Sequence, residues 1–132
     1  MSHRTNLLIF VVLFVLTVSA GCGGSADVKL SAADNGKTVD AKVGGQIVIE
    51  LEGNPSTGYN WEPKDLDTQM LQPIGEPEFK SSAPGLVGSA GTITLTFKSL
   101  KAGTTTLNLI YHRSWETDVA PLSTYTVTIV AK

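Results

Sequence analysis

The chain has few of the residues that build catalytic or redox sites. Its 132 residues include one cysteine, Cys22, and two histidines, His3 and His112. One cysteine cannot form an intrachain disulfide. If the N-terminal segment is removed and Cys22 is acylated, no Cys–His pair remains for nucleophilic catalysis. No G-x-S-x-G motif is present either. The sequence therefore argues against an enzyme.

Basic charge and metal-binding motifs are also scarce. The 10 Lys and Arg residues are outnumbered by 12 Asp and Glu residues, for a formal net charge of −2. This balance provides no electrostatic footprint for nucleic acid or for anionic lipid. Acidic residues two apart, such as Glu50 and Glu52, mark the solvent face of a strand, and no calcium-loop spacing occurs. We expect no nucleic-acid partner, no metal and no cofactor.

The N-terminus has the pattern of an export signal. A basic start at His3 and Arg4 precedes a nearly continuous apolar run from Leu7 to Val18. This run is too short to span a bilayer comfortably as a permanent helix, and it has the length of a signal-peptide core. Residues 1–21 are therefore predicted to be a signal peptide.

Small residues after this run resemble the lipobox of bacterial lipoproteins. Ala20-Gly21-Cys22 fits that pattern, whereas Ser19 departs from it because a leucine-like residue is usual there. The resemblance implies a lipid on Cys22, at the start of a flexible tether over residues 22–26. An unmodified thiol in an ordinary secretory signal is the alternative.

The lipobox also predicts a location. The protein would be anchored in the cell envelope, on the non-cytoplasmic side of a bacterial membrane. Gly23 stands where an aspartate often signals retention in the inner membrane. In a cell with two membranes, the outer membrane is therefore favoured.

Residues 27–132 consist largely of short runs in which apolar and polar side chains alternate. The clearest runs are Gln46 to Glu52 and Thr92 to Leu100, whose alternate apolar residues predict one buried face each. The other runs are Val28 to Ser31, Thr38 to Val43, Tyr59 to Glu62, Thr104 to Tyr111 and Ser123 to Val130. Seven to eight short strands without an amphipathic helix predict an all-β, antiparallel β-sandwich.

The middle of the chain is less regular. Residues 63–72 can accommodate one short helical turn, and residues 73–80 read as extended chain. Pro77 lies in this extended stretch, and proline cannot donate to a central ladder of hydrogen bonds. Any strand here is therefore expected at the edge of a sheet.

Three connections between the predicted strands have unusual compositions. In the first, Asn54 and Pro55 suit the first two positions of a type I turn, and Gly58 allows a positive φ. This connection predicts a rigid, narrow and exposed tip of small residues, suited to insertion into a cleft. An ordinary strand connection is the alternative.

The other two connections differ in character. Residues 81–91 are rich in glycine and are expected to be mobile. Residues 112–121 begin with His112, which we expect to be a loop residue, and carry Arg113 and Trp115, two residue types enriched at interface hot spots. The alternative is an arginine packed on a half-buried tryptophan. Alternate connections of a sandwich gather at one end, so all three are expected to meet.

These connections together resemble the chagasin family, protein inhibitors of papain-like cysteine peptidases. The resemblance covers nearly the whole chain after the tether in strand order and spacing. Its three motifs are N-P-T-T-G-[YF], G-x-G-G and R-P-W. They match Asn54-Pro55-Ser56-Thr57-Gly58-Tyr59, Gly88-Ser89-Ala90-Gly91 and Arg113-Ser114-Trp115, respectively.

The resemblance implies an immunoglobulin-like sandwich and a reversible, competitive, monomeric inhibitor. All residues of the three matched motifs would bind the protease. The first connection, with Thr57 and Gly58, would lie over the catalytic cysteine, and the other two would grip the walls of the active-site cleft. Ser114 lacks the fixed φ of proline, so the third loop is expected to be less preorganised and to bind less tightly, whereas Ala90 restricts the second loop if the family glycine there has a positive φ.

One other class of protein stays open from the sequence. A lipid-anchored, immunoglobulin-like adhesion or carbohydrate-binding module would use Trp61 and Trp115 to stack on a sugar ring. Such a module would not inhibit papain, so an inhibition assay separates the two hypotheses.

Overall fold

The computed structural model describes residues 27–132. The predicted signal peptide over residues 1–21 and the tether with Cys22 therefore lie outside the described residues. The described strands are β1 Val28–Ser31, β2 Thr38–Ala41, β3 Gln46–Gly53, β4 Asn60–Lys64, β5 Leu71–Pro73, β6 Glu78–Ser81, β7 Gly91–Ser99, β8 Gly103–His112 and β9 Ser123–Ala131. Two short 3₁₀ helices span Ala32–Asp34 and Pro55–Thr57. Within this part of the chain, no helix is both long and apolar enough to cross a membrane.

The strands form two sheets that enclose one core. One sheet has the order β1-β3-β7-β5, with β6 also paired to β7, and the other has the order β2-β9-β8-β4. The predicted all-β sandwich is thus confirmed. It has nine described strands instead of seven or eight because residues 71–81 form two short strands along one edge of β7. Pro77 directly precedes β6, so the predicted edge position is confirmed as well.

The first two strands differ from the antiparallel expectation. β1 pairs in parallel with β3, and β2 pairs in parallel with β9. The 3₁₀ helix Ala32–Asp34 lies between them. The Ser31 N–H donates to the Asp34 carboxylate at 2.9 Å and completes the capping box of this helix. Because the chain changes sheet as it reverses here, β1 and β2 cannot pair with each other. Each instead joins the edge of a strand that runs in its own direction.

The core consists of the apolar faces that the alternation predicts. In β3 and β7 every second residue is buried, while the intervening positions are exposed or half-buried. The largest fully buried side chains are Tyr125, Phe97, Ile47, Ile49, Leu71, Leu107, Leu109, Ile129 and Val127. Since these residues come from both sheets, the core holds the sheets together and fixes the strand ends from which the loops leave.

The strand registers define two poles of the domain. The loop pole contains three connections: the first loop (residues 54–59), the second loop (residues 82–90) and the third loop (residues 113–122). At the opposite pole, Val28 pairs with Ile47 near the start of β3, and Gly103 pairs with Ala131 near the end of β9. The chain that precedes residue 27 is therefore attached at the pole opposite the three loops.

Residues 65–70 turn without forming a helix. The backbone N–H groups of Met70 and Leu71 both donate to the Asp67 carbonyl oxygen, at 3.1 and 2.9 Å. The helical turn considered for residues 63–72 is thus reduced to one hydrogen-bonded turn, because β4 continues through Lys64 and β5 already begins at Leu71.

Tyr125 gives the fold a sensitivity to alkaline pH. Burial, with a smaller contribution from the Asp34 carboxylate, raises the pKa of Tyr125 from 10.0 to about 12. The folded protein holds the phenolic proton more tightly than the unfolded chain does. This contribution to stability is therefore complete below pH 10 and is lost as the pH rises towards 12.

We expect the urea midpoint of the wild-type protein to fall across that pH interval and that of Tyr125→Phe to fall less. Among the described residues the Tyr125 hydroxyl has no hydrogen-bond partner. Near neutral pH, its removal should therefore change the free energy of unfolding by less than about 1 kcal/mol. An equal alkaline loss in both proteins would assign the effect to another group.

Candidate functional site: the three-loop pole

The first loop is a short, internally bonded turn. Asn54 caps the 3₁₀ helix Pro55–Thr57 by accepting from the Ser56 N–H at 3.2 Å. The Thr57 and Gly58 N–H groups donate to the Asn54 and Pro55 carbonyl oxygens, at 3.1 and 2.9 Å. Gly58 has a φ of 83°, in the left-handed region. The predicted tight turn with a special role for Gly58 is present, and it closes as one 3₁₀ turn.

The two hydroxyls of the first loop donate within the loop itself. The Ser56 hydroxyl donates to the Asn54 side-chain oxygen at 2.5 Å, and the Thr57 hydroxyl donates to the Asn54 carbonyl oxygen at 2.6 Å. Both hydroxyl oxygens keep lone pairs that can accept a hydrogen bond. The tip therefore offers a partner mainly acceptors and small apolar groups.

The second loop closes on itself and touches the first loop. Its base is joined by the Ser82 N–H, which donates to the Ala90 carbonyl oxygen at 3.1 Å, and by the paired hydroxyls of Ser81 and Ser89 at 2.5 Å. The Gly88 carbonyl oxygen accepts from the Asn54 side-chain NH₂ at 2.9 Å. The glycine-rich stretch is thus tied at its base and to its neighbour.

Gly91 lies in a strand and not in the predicted second connection, and Ala90 has no positive φ. Gly91 belongs to β7, where it pairs with both Gly53 and Ser81, and a Cβ on Gly91 would overlap the Lys80 carbonyl oxygen. The absence of a side chain at Gly91 therefore allows the strands to approach closely at the base of the loop. The only non-glycine residue with a positive φ among those described is Asp65. Ala90 consequently adopts a backbone conformation that alanine accepts without strain.

The third loop folds back over the first. The Arg113 Nε–H donates to the Thr57 carbonyl oxygen at 3.0 Å, and the Arg113 guanidinium carbon lies 4.5 Å from the centroid of the Tyr59 ring. The ring of Trp115 lies against Gly58 so closely that a Cβ on Gly58 would overlap it. Trp115 remains 64% exposed. The alternative of a half-buried tryptophan is therefore wrong: the ring is exposed and lies on the first loop.

Aromatic side chains support the loops from below. The Tyr111 ring lies 5.3 Å from Tyr59 and 5.0 Å from Trp61, between centroids. The Tyr111 hydroxyl accepts from the Asn54 N–H at 2.9 Å, and the Trp61 indole N–H donates to the Glu52 carbonyl oxygen at 3.0 Å. Trp61 is buried, so it contributes to the base of the site and is not a surface for stacking.

His112 lies at the end of β8 and not within the third loop, which corrects the predicted loop position. Its Nε2 atom is 2.6 Å from the Glu62 carboxylate on the neighbouring strand β4. The residue extends the ladder because Asn60 still pairs with it. The His112 side chain is therefore already paired with Glu62 within the fold.

Several residues at this pole were not predicted from the sequence. Leu86 and Val87, at the tip of the second loop, are 66% and 99% exposed. Adjacent apolar residues in a glycine-rich connection were the available signal for them. Glu116 was also missed, although it accepts from the Arg113 Nη1 at 3.1 Å. Among residues 27–132, no group of three or more His, Cys, Asp and Glu side chains could hold a metal ion.

Ser114 occupies the second position of a turn that the Glu116 N–H closes by donating to the Arg113 carbonyl oxygen at 3.0 Å. Proline is favoured at this position of such a turn. We expect Ser114→Pro to raise the free energy of unfolding by about 0.5 kcal/mol and to tighten the protease binding that the family resemblance implies about twofold. Urea unfolding and inhibition constants check this, with Ser114→Ala as the control. Weaker binding by the proline variant would show that the turn requires the serine N–H or a different φ.

The fold and the loop pole define a class of protein. A sandwich that presents three loops, of which the first is bonded to each of the other two and the second and third carry exposed apolar side chains, is a loop-based binding protein. The family model described as "Chagasin family peptidase inhibitor I42" matches residues 40–129. The chain belongs to the chagasin family, and the family resemblance seen in the three motifs is confirmed.

Individual relatives agree with this assignment. Amoebiasin-2 of Entamoeba histolytica is 37% identical over 89 residues, or 65% of this chain and 70% of that protein. Chagasin of Trypanosoma cruzi is 31% identical over 91 residues, or 66% of this chain and 82% of that protein. The crystal structure of a cysteine protease inhibitor from Entamoeba histolytica has a TM-score of 0.70 and 31% identity, covering 80% of this chain and 96% of that one. The proteins that this chain resembles are inhibitors and not enzymes.

Proposed function

We propose that this protein is a reversible, competitive inhibitor of papain-like cysteine proteases. The observation that carries the proposal is the loop pole, where the first loop lies between the second and third loops and is bonded to both. Membership of a family of peptidase inhibitors supports the same function. The three loops would enter the active-site cleft together, with Thr57 and Gly58 above the catalytic cysteine.

The chemistry of the first loop fits a blocking role. A tip held in a 3₁₀ turn does not present the extended backbone of a substrate, and its polar side chains donate internally. Proline at the start of the turn limits the conformational entropy lost on binding. The exposed ring of Trp115 beside this tip offers a large apolar contact with an N–H donor. The loops thus supply contact area without supplying a scissile bond.

Steady-state inhibition of papain by a soluble form covering residues 27–132 tests the proposal. Increasing substrate should raise the apparent inhibition constant linearly, and the inhibitor should be recovered uncleaved. A matched variant with Gly/Ser in place of all three loops should fold and not inhibit. Pure non-competitive behaviour, or full inhibition by the loop-replaced variant, would refute the joint insertion of the three loops into the cleft. The carbohydrate-binding alternative is weakened, because Trp61, one of the two tryptophans that would stack on a sugar ring, is buried.

We also propose that the protein acts from a membrane surface as a lipid-anchored monomer. The supporting observation is that residue 27 and the three loops lie at opposite poles of the domain. An anchor attached through residues 22–26 would leave the loop pole directed away from the membrane. A protease in the surrounding space would then reach the loops without obstruction from the bilayer.

The anchoring proposal predicts the outcome of metabolic labelling. In the bacterial host, labelled palmitate should enter the wild-type protein, and the protein should partition with membranes. Cys22→Ser should remain unlabelled because it lacks the acylated thiol. The variant should still inhibit papain as strongly as the wild type, since every residue of the loop pole is unchanged. Equal labelling of both proteins would contradict the proposal.

A further inference from the structure

The side chain of Asn54 serves two loops at once. Its oxygen caps the 3₁₀ turn of the first loop, while its NH₂ group donates to the Gly88 carbonyl oxygen of the second loop at 2.9 Å. The Asn54 N–H, in addition, donates to the Tyr111 hydroxyl in the supporting layer. Both functional ends of this amide are therefore engaged inside the inhibitor.

Arg113 plays the corresponding part on the other side. Its Nε–H donates to the Thr57 carbonyl oxygen, and its Nη1 donates to the Glu116 carboxylate at 3.1 Å. The guanidinium also lies over the Tyr59 ring. The side chain is one-third exposed, so it is enclosed by its own protein to a large extent. A planar group with several fixed donors can make these contacts together, whereas the ammonium group of lysine lacks that geometry.

We propose that Asn54 and Arg113 are positioning residues, which bond the three loops into one unit before a protease is met. The sequence motifs alone had assigned both to direct contact with the protease. Loops that are ordered beforehand lose less conformational entropy when they bind. The inference rests on the proposed inhibitory function for its consequences in binding, but the cross-links belong to the free protein and can be measured there.

The first test uses the free inhibitor and ¹⁵N relaxation. Asn54→Asp keeps the oxygen that caps the first loop and removes the NH₂ donor to Gly88. We expect amide order parameters in the second loop to fall from about 0.85 to below about 0.6, while those of residues 55–58 stay unchanged. Arg113→Lys should loosen residues 113–116 in the same way. Unchanged order parameters in both variants would overturn the proposal.

The second test measures binding to papain. Each variant should weaken inhibition about tenfold, as expected for the loss of one hydrogen bond. Asn60→Asp, an exposed residue at the start of β4, introduces the same charge near the loops and should retain wild-type inhibition. If Arg113→Lys inhibits like the wild type while Arg113→Ala does not, the charge contacts the protease directly and the positioning role is wrong. If the wild type itself fails to inhibit, the proposed function fails, and the relaxation data still decide the inference.

Discussion

Gly58→Ala should weaken inhibition of papain roughly 100-fold, or about 3 kcal/mol, for two physical reasons that act together. Gly58 has a φ of 83°, a conformation that costs alanine about 1 kcal/mol. The added Cβ would also overlap the Trp115 ring, so the third loop must move away from the first. The two loops could then not enter a cleft in their present arrangement. Inhibition constants measured under competitive conditions check this prediction.

Gly44→Ala is the matched control for that variant. Gly44 has a φ of 82°, and a Cβ there would meet no atom within 4 Å. It lies before β3, at the pole opposite the loops. We expect this control to lose about 1 kcal/mol of folding stability and no inhibitory strength. If Gly58→Ala inhibits as well as Gly44→Ala, the contact between Gly58 and Trp115 is not needed for binding.

The sandwich could be predicted from the sequence because its long strands alternate so clearly. In β3, β7, β8 and β9 the apolar residues of the buried face are separated mostly by threonine, charged or amide side chains, with Val48, Ile110 and Val130 as the exceptions, and the buried faces form the core. Parallel pairing of β1 and β2 could not be predicted in this way. Alternation reports which face of a strand is buried and carries no information on the direction of the neighbouring strand.

The residues of the loop pole were predicted better than their contacts. Turn chemistry at Pro55 and Gly58 is local, so sequence alone predicts a tight turn. The hydrogen bonds from Asn54 to Gly88 and from Arg113 to Thr57 join residues 34 and 56 positions apart. Such partners depend on how the strands are arranged in space, which no local pattern contains. The sequence motifs therefore did not reveal these bonds between the loops.

Trp115→Ala should be the most costly removal of a single exposed side chain, weakening inhibition by about 2 kcal/mol or more, or roughly 30-fold. Trp115 is 64% exposed and lies on Gly58, so a protease that covers the first loop also covers this ring. The exposed ring contributes little to the core, and urea unfolding should change by less than about 1 kcal/mol.

Trp115→Phe separates the contribution of the indole N–H to protease binding from that of the apolar ring that packs against Gly58. Phenylalanine keeps an aromatic surface against Gly58 and lacks the indole N–H, so it should recover most of the lost inhibition if apolar contact dominates. Val43→Ala, at an exposed apolar residue of the opposite pole, should bind like the wild type. Inhibition by Trp115→Ala within threefold of the wild type would place the ring outside the interface. The third loop would then contribute to inhibition only through its support of the first loop or through other exposed residues such as Val119 and Leu122.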